Sequence, residues 1–242
     1  MLISQLTMPE FEAAMAKTET VVIPFGSVEE HGPHLPLSTD TMHAQEVAAR
    51  LAKRCPMLVA APVHYGICRS TREHPGTISI SGDALRTLAL DLGREFYRQG
   101  CRRLILLTGH AGGTHVAALI EAGERLLVEL PDLKIAVVNI LQLLQEVLVQ
   151  YPGLVHTPGD SHAGEVETAI MLAARPELVS GKAPAEWPRF SKFVLVRRKR
   201  KFWPGGVWGD PTQANAEQGE QILNLEVQFL LELLNTMNNM ED

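Results

Sequence analysis

Short apolar runs alternate along the chain with longer stretches in which apolar residues recur at helical spacing. "TVVIPFG" (20–26) is brief, β-branched and closed by glycine, the signature of a strand buried on both faces. "DTMHAQEVAARLAKRC" (40–55) follows as a predicted helix, with Val47 and Leu51 at helical spacing and Asp40 as its N-cap. The alternation returns as strand 57–63, helix 83–100 with Gly100 at its C-cap, strand 102–110, helix 114–130 and strand 134–140. A further helix is predicted to open at about Ser161, and "ANAEQGEQILNLEVQFLLELLN" (214–235) is a long C-terminal one. Strand–helix alternation predicts an α/β fold, a mostly parallel sheet with helices on both faces. Ligands of such sheets bind beyond the carboxyl ends of the strands, where segments 26–40 and 109–115 both lie. With no internal repeat and no low-complexity linker, residues 1–242 are expected to form a single domain.

Composition narrows the function classes. The formal charge of −6 at pH 7 gives no general attraction to polyanions, so no nucleic-acid role is expected. One basic run, "RRKRK" at Arg197 to Lys201, breaks the trend and reads as a solvated strand edge; were it to line an entrance, the substrate would carry an anionic group such as phosphate. Cys55, Cys68 and Cys101 are odd in number and lack CxxC spacing, as expected of reduced, packed thiols in a cytoplasmic protein. The N-terminal stretch has no signal-peptide pattern and no window has the apolar length of a membrane span, so neither export nor membrane attachment is expected.

Candidate chemistry concentrates in "GSVEEHGPHLPLSTD" (26–40). In an extended segment Glu29 and His31 point the same way, and Asp40 can return to them after a turn through "GPHLPL". Carboxylate oxygen and imidazole nitrogen together are a ligand set of zinc, manganese and iron, and His110, at another strand end, can add a ligand. His162 and Glu165, three apart at a predicted helix start, would share one face of the first turn, although Glu165 alone reads equally as a carboxylate favoured by the helix dipole. Glu30 faces away from its neighbours and reads as structural. Ser27, His34, His43, His64, His115 and His156 read as orienting or loop-filling residues, His34 as a possible support for a ligand. "GSVEE" is no GxSxG elbow, which disfavours Ser27 as a nucleophile, and "GHAGGTH" lacks a Walker lysine and GxGxxG spacing, which disfavours a nucleotide-binding module. Trp203 and Trp208 flank "PGG", either as a loop over the pocket or as ordinary packing.

"GSVEEHGPHLPLSTD", "TGHAGGTH" and "HAGEVET" stand in the order and approximate spacing of three signature blocks of the creatininase family, which the chain therefore resembles. "HPGTISIS" (74–81) resembles a fourth block and "GVWGDPTQANAEQGEQI" (206–222) the closing one, so the resemblance spans nearly the whole chain. It implies a three-layer α/β/α sandwich, two divalent metal ions (Zn2+, Mn2+ or Fe2+) with a bridging water, and a homo-oligomer, a hexamer favoured. Residue by residue, Glu29 matches the carboxylate on the first metal, His31 the imidazole on the second, Asp40 the bridging carboxylate and His110 the histidine completing the first site. Where true creatininase has a second-metal glutamate two residues after that histidine, this chain has Gly112, which weakens the case for creatinine as substrate. Glu165 and Glu167 are the candidate replacements, Glu167 preferred because the family block ends in that carboxylate. His162 matches a histidine at the substrate and is expected to protonate the leaving nitrogen, aided by Glu165. The implied activity is a dinuclear metal-dependent amidohydrolase that cleaves a C–N amide bond of a cyclic amide, formamide or short peptide with a metal-bridged hydroxide. Two alternatives remain open: a peptidase resembling the one that trims the mycofactocin precursor, and a non-catalytic small-molecule or nucleotide-binding α/β module.

Overall fold

The computed structural model describes residues 1–191 and 194–240. Its sheet consists of β1 (Thr20–Phe25), β2 (Leu58–Val59), β3 (Arg103–Thr108) and β4 (Lys134–Asn139), all parallel in the order β2-β1-β3-β4. Every residue of β1 is buried, which explains why its sequence is continuously apolar rather than alternating. Successive side chains leave a strand on opposite faces, and the packing follows that parity. Val21, Ile23, Phe25, Leu104 and Leu106 join a core shared with α1 (Met8–Met15), α3 (Gly82–Arg98) and α4 (Gly113–Glu129). Val22, Ile105, Leu107 and Val138 join the core on the other face, with α2 (Thr39–Leu51), α5 (Ile140–Gln150), α6 (Glu165–Ala174) and α7 (Ala216–Asn239). The chain is thus an α/β protein in three layers.

Several boundaries differ from the sequence reading for identifiable reasons. The edge strand predicted over 57–63 pairs as a strand only at Leu58–Val59, and beyond it continues through an Ala60 N–H to Val22 carbonyl bond of 2.9 Å and an isolated bridge at Val63. Pro62 has no N–H to extend the ladder. Ser38 occupies the N-cap position of α2 without a side-chain capping bond, so Asp40 lies inside the first turn with its side chain buried instead of at the cap. α6 starts at Glu165, after Gly164, which leaves Ser161 and His162 outside the helix. Two helices, α1 and α5, lie outside the elements that the apolar pattern predicts. α1 carries a Thr7/Glu10 capping box, and Asn139 caps α5 through the Leu141 N–H at 3.1 Å. The basic run is no strand edge: Lys199–Lys201 form a single 3-10 turn, held by the Arg200 N–H donating to Glu73 at 3.2 Å. Among the described residues, no helix is long and apolar enough to cross a membrane.

α7 is fastened to α2 by a buried ion pair, His43 Nε2 to Glu226 Oε2 at 2.9 Å, and by Arg50, whose guanidinium grips Glu220 at 2.6 and 2.9 Å near the surface. Burial opposes the charge of His43, and the Glu226 carboxylate more than reverses it, so the imidazole titrates above its ordinary 6.5. A raised folded value means the pair contributes fully below the unfolded value and fades as pH rises through the folded one. His43→Ala, which leaves Glu226 buried and unpaired, is expected to lower stability by about 3 kcal/mol or more. Urea midpoints of wild type and variant should converge as pH rises above the ordinary histidine range.

Candidate metal centre

The site forms where the ends of β1 and β3 meet the start of α2. A Cβ on Gly109, just past β3, would fall 2.1 Å from the Asp40 carbonyl oxygen, so only glycine lets the helix start press this closely on the strand end. The loop after β1 closes on itself through the Glu29 N–H to the Leu37 carbonyl at 2.9 Å, which turns Glu29 and His31 toward the same point. Glu29, His31, Asp40, His110 and Glu167 converge there, none more than 6% exposed.

The hydrogen-bond geometry fixes what each imidazole can do. His31 Nδ1 lies 3.1 Å from the Glu29 carbonyl, and His110 Nε2 lies 3.1 Å from the Ile67 carbonyl. A carbonyl only accepts, so these nitrogens carry hydrogen, and the opposite nitrogen of each ring is turned into the site. His31 Nε2 faces Asp40 Oδ1 at 3.0 Å and Glu167 Oε2 at 3.7 Å. His110 Nδ1 faces Glu29 Oε2 at 2.9 Å and Asp40 Oδ2 at 3.0 Å. Asp40 thus gives one oxygen to each histidine. The Ser27 hydroxyl donates to Asp40 Oδ2 at 2.6 Å, the Thr71 hydroxyl donates to Glu29, and the Ala163 N–H donates to Glu167 at 2.6 Å.

Charge at the site follows from this pairing. Burial opposes ionisation of Asp40, yet His31 and His110 hold its carboxyl well below the ordinary range. Glu29, buried beside His110, is likewise held down at about 2. His31 and His110 are buried too, but Asp40 and Glu29 raise both well above the usual imidazole value. Among the described residues no lysine or arginine pairs with Glu29, Asp40 or Glu167, so the neutralising charge comes from protons on the two inward nitrogens. Divalent cations can replace those protons, and the donor set fits them: imidazole nitrogens already oriented by main-chain carbonyls, facing buried carboxylates.

His162 lies at the rim of this group, its Nε2 donating to the Glu30 carbonyl at 2.8 Å and its ring 4.3 Å from that of His31. Donor atoms of His31, His162 and Glu167 all lie within 4.8 Å of one another, and so do those of Glu29, Cys68 and His110. Glu165 is not brought to the site. Its carboxylate accepts the N–H groups of His156 at 3.0 Å and Thr157 at 2.6 Å and the Gln218 amide at 2.5 Å, so the proposed shared face with His162 does not form. His34 bonds Thr168 at 2.8 Å rather than supporting a ligand, and His115 holds the Ile67 N–H at 3.2 Å. Glu30 serves through its backbone carbonyl. Thr71 and Cys68 carried no sequence signal, since neither belongs to a ligand-like spacing.

Above the cluster opens a cavity of about 580 Å³, lined by Glu29, Asp40, His110, His162 and Glu167 at its base. Trp203 and Trp208 form part of its wall, Trp203 buried with its indole N–H on the Val207 carbonyl at 2.7 Å, while Arg69 and Lys199 stand among the remaining lining residues.

Residues 4–234 match the family model described as creatininase, creatinine amidohydrolase. The chain belongs to the creatininase family. It is 30% identical over 251 residues to the creatinine amidohydrolase of Pseudomonas putida, covering 96% of this chain and 95% of that one. It is 35% identical over 222 residues to the mycofactocin precursor peptide peptidase of Mycobacterium ulcerans (strain Agy99), covering 84% and 79%. A crystal structure of creatinine amidohydrolase superposes with a TM-score of 0.86 at 28% identity over 99% of this chain and 98% of the other. A structure described as creatininase Mn gives 0.83 at 29% identity over 97% of both chains. The chain is accordingly a creatininase-like amidohydrolase, a hydrolase of C–N bonds.

Gly112 is constrained within this creatininase framework, because a Cβ there would fall 2.5 Å from His110 Nε2 and 3.2 Å from the Ile67 carbonyl oxygen. Gly112→Ala is therefore expected to break the bond that aims His110 and to weaken cation binding by about 10- to 100-fold, read by calorimetric titration of metal-free protein. Glu165→Gln should instead cost about 1–3 kcal/mol of stability in a urea melt, with cation affinity unchanged.

Proposed function

We propose that the chain is a dinuclear metal-dependent amidohydrolase that cleaves a C–N amide bond in a short peptide or small amide bearing an anionic group. The division of the Asp40 oxygens between His31 and His110 carries this reading. Glu29, Asp40 and His110 would hold one divalent cation, and His31, Asp40 and Glu167 the other, as Zn2+, Mn2+ or Fe2+. Bound there, the cations would supply an acidified water and a polarised carbonyl.

The chain's own groups do the rest. With Nε2 committed to the Glu30 carbonyl, His162 has Nδ1 free to carry a proton to the leaving nitrogen. Trp203 and Trp208 form part of the cavity wall, while Leu141, Leu195 and Val196 give it an apolar side. Arg69 and Lys199 suit a carboxylate or phosphate on the substrate, and a free peptide C-terminus has that chemistry. This cationic lining favours a peptide over neutral creatinine, and the similarity to mycofactocin precursor peptidases points the same way. Further parts of the reading are a cytoplasmic location, supported by three unpaired cysteines, and a homo-oligomer, a hexamer favoured, supported by Val194 and Leu195 at 60% and 98% exposed beside the cavity.

Metal analysis of the purified protein should find two cations per chain. Asp40→Ala should be inactive on panels of creatinine, formamides and peptides, and unchanged activity in that variant would sink the bridging role. His162→Gln should lose about 100- to 10,000-fold in kcat with cations still bound. Arg69→Ala should raise KM for substrates with a free carboxylate and leave amidated analogues untouched; equal effects on both would remove the anionic-group assignment.

A further inference from the structure

Glu29, Asp40 and His110 give the first cation of the proposed pair three protein donors, the number that leaves a catalytic centre room for further ligands. The sulfur of Cys68 lies within 4.8 Å of the donor atoms of Glu29 and His110, and all three residues are buried. Cys68 adjoins Ile67, whose carbonyl aims the His110 ring, and the Cys68 N–H is itself fixed on the Ser79 hydroxyl at 3.0 Å. One short backbone segment therefore sets both the imidazole and the thiol.

The other two cysteines differ. Cys55 donates to the Leu51 carbonyl at 3.6 Å and Cys101 to the Arg103 carbonyl at 3.2 Å, so each thiol has a main-chain partner. Cys68 stands instead beside His110 and Ser27, among the groups of the site.

Resting on the two-cation reading above, we propose that Cys68 supplies a thiolate sulfur to the cation held by Glu29, Asp40 and His110, as a fourth protein donor beside its water. The step balances simply: the S–H bond breaks, its proton passes to solvent, and the sulfur electron pair forms the bond to the cation. Coordination itself drives the deprotonation, because a bound cation stabilises the thiolate over the thiol. A donor set of one sulfur, one nitrogen and two carboxylates suits zinc, whereas manganese favours oxygen donors, so Cys68 also sets which metal this centre prefers.

Metal-free, full-length protein titrated with Co2+ tests this by near-ultraviolet absorption, alongside direct counting of bound cobalt. A thiolate-to-cobalt charge-transfer band is expected in wild type and in Cys55→Ser, and its loss is expected in Cys68→Ser and Cys68→Ala. In Zn2+/Mn2+ competition, Cys68→Ser should show a zinc preference lower by about tenfold or more. Two cobalt ions bound per wild-type chain without the band would overturn the thiolate while leaving the two-cation reading intact; no cobalt bound at all would sink both. A band persisting in Cys68→Ser would also overturn it. Should both Cys68 variants fail to fold, the wild-type and Cys55→Ser spectra, taken with the cobalt count, still decide.

Discussion

The organisation of the molecule depends on one buried carboxylate divided between two imidazoles. Asp40 is 3% exposed, and ionising a carboxyl at such depth is costly unless opposite charge stands against each oxygen. His31 and His110 meet that need from separate strand ends, and Ser27 adds a donor to the oxygen facing His110. The parallel pairing of β1 with β3 carries the constraint outward, because it places Phe25 level with Thr108 and so brings the two following loops side by side. The close seat of the α2 start against Gly109 does the rest, delivering Asp40 into the gap between those loops.

Much of this was legible from spacing. Parity along an extended segment is enough to put Glu29 and His31 on the same side, and a short turn is enough to return Asp40 to them. A strand followed by a polar loop and a helix places that loop at the carboxyl edge of the sheet before any coordinates are known. The predicted edge strand shrank because apolar character does not report a missing N–H, which Pro62 lacks. α1 was legible in principle, since Thr7 and Glu10 have capping-box spacing, but the helix is short and mostly exposed and shows little periodicity.

The choice between Glu165 and Glu167 shows where spacing fails and helix geometry succeeds. Residues two apart on a helix project to nearly opposite sides, so both cannot face one centre. Glu167 turns toward His31, and Glu165 turns back into the loop before the helix, collecting the N–H groups of His156 and Thr157. The pairing of His162 with Glu165 required a helix that already included His162, and this one begins at Glu165. Cys68 was invisible for another reason: its neighbours in the site come from distant segments, and nothing in its own surroundings along the chain marks it.

The outer nitrogens of His31 and His110 both rest on peptide oxygens, those of Glu29 and Ile67. Ring orientation is thus inherited from the course of the main chain, with no second side chain acting as intermediary. Walls built from indoles, aliphatic groups and cationic tips can then be exchanged over evolutionary time without loosening the grip below. A scaffold of this kind separates the power to hydrolyse from the choice of what is hydrolysed.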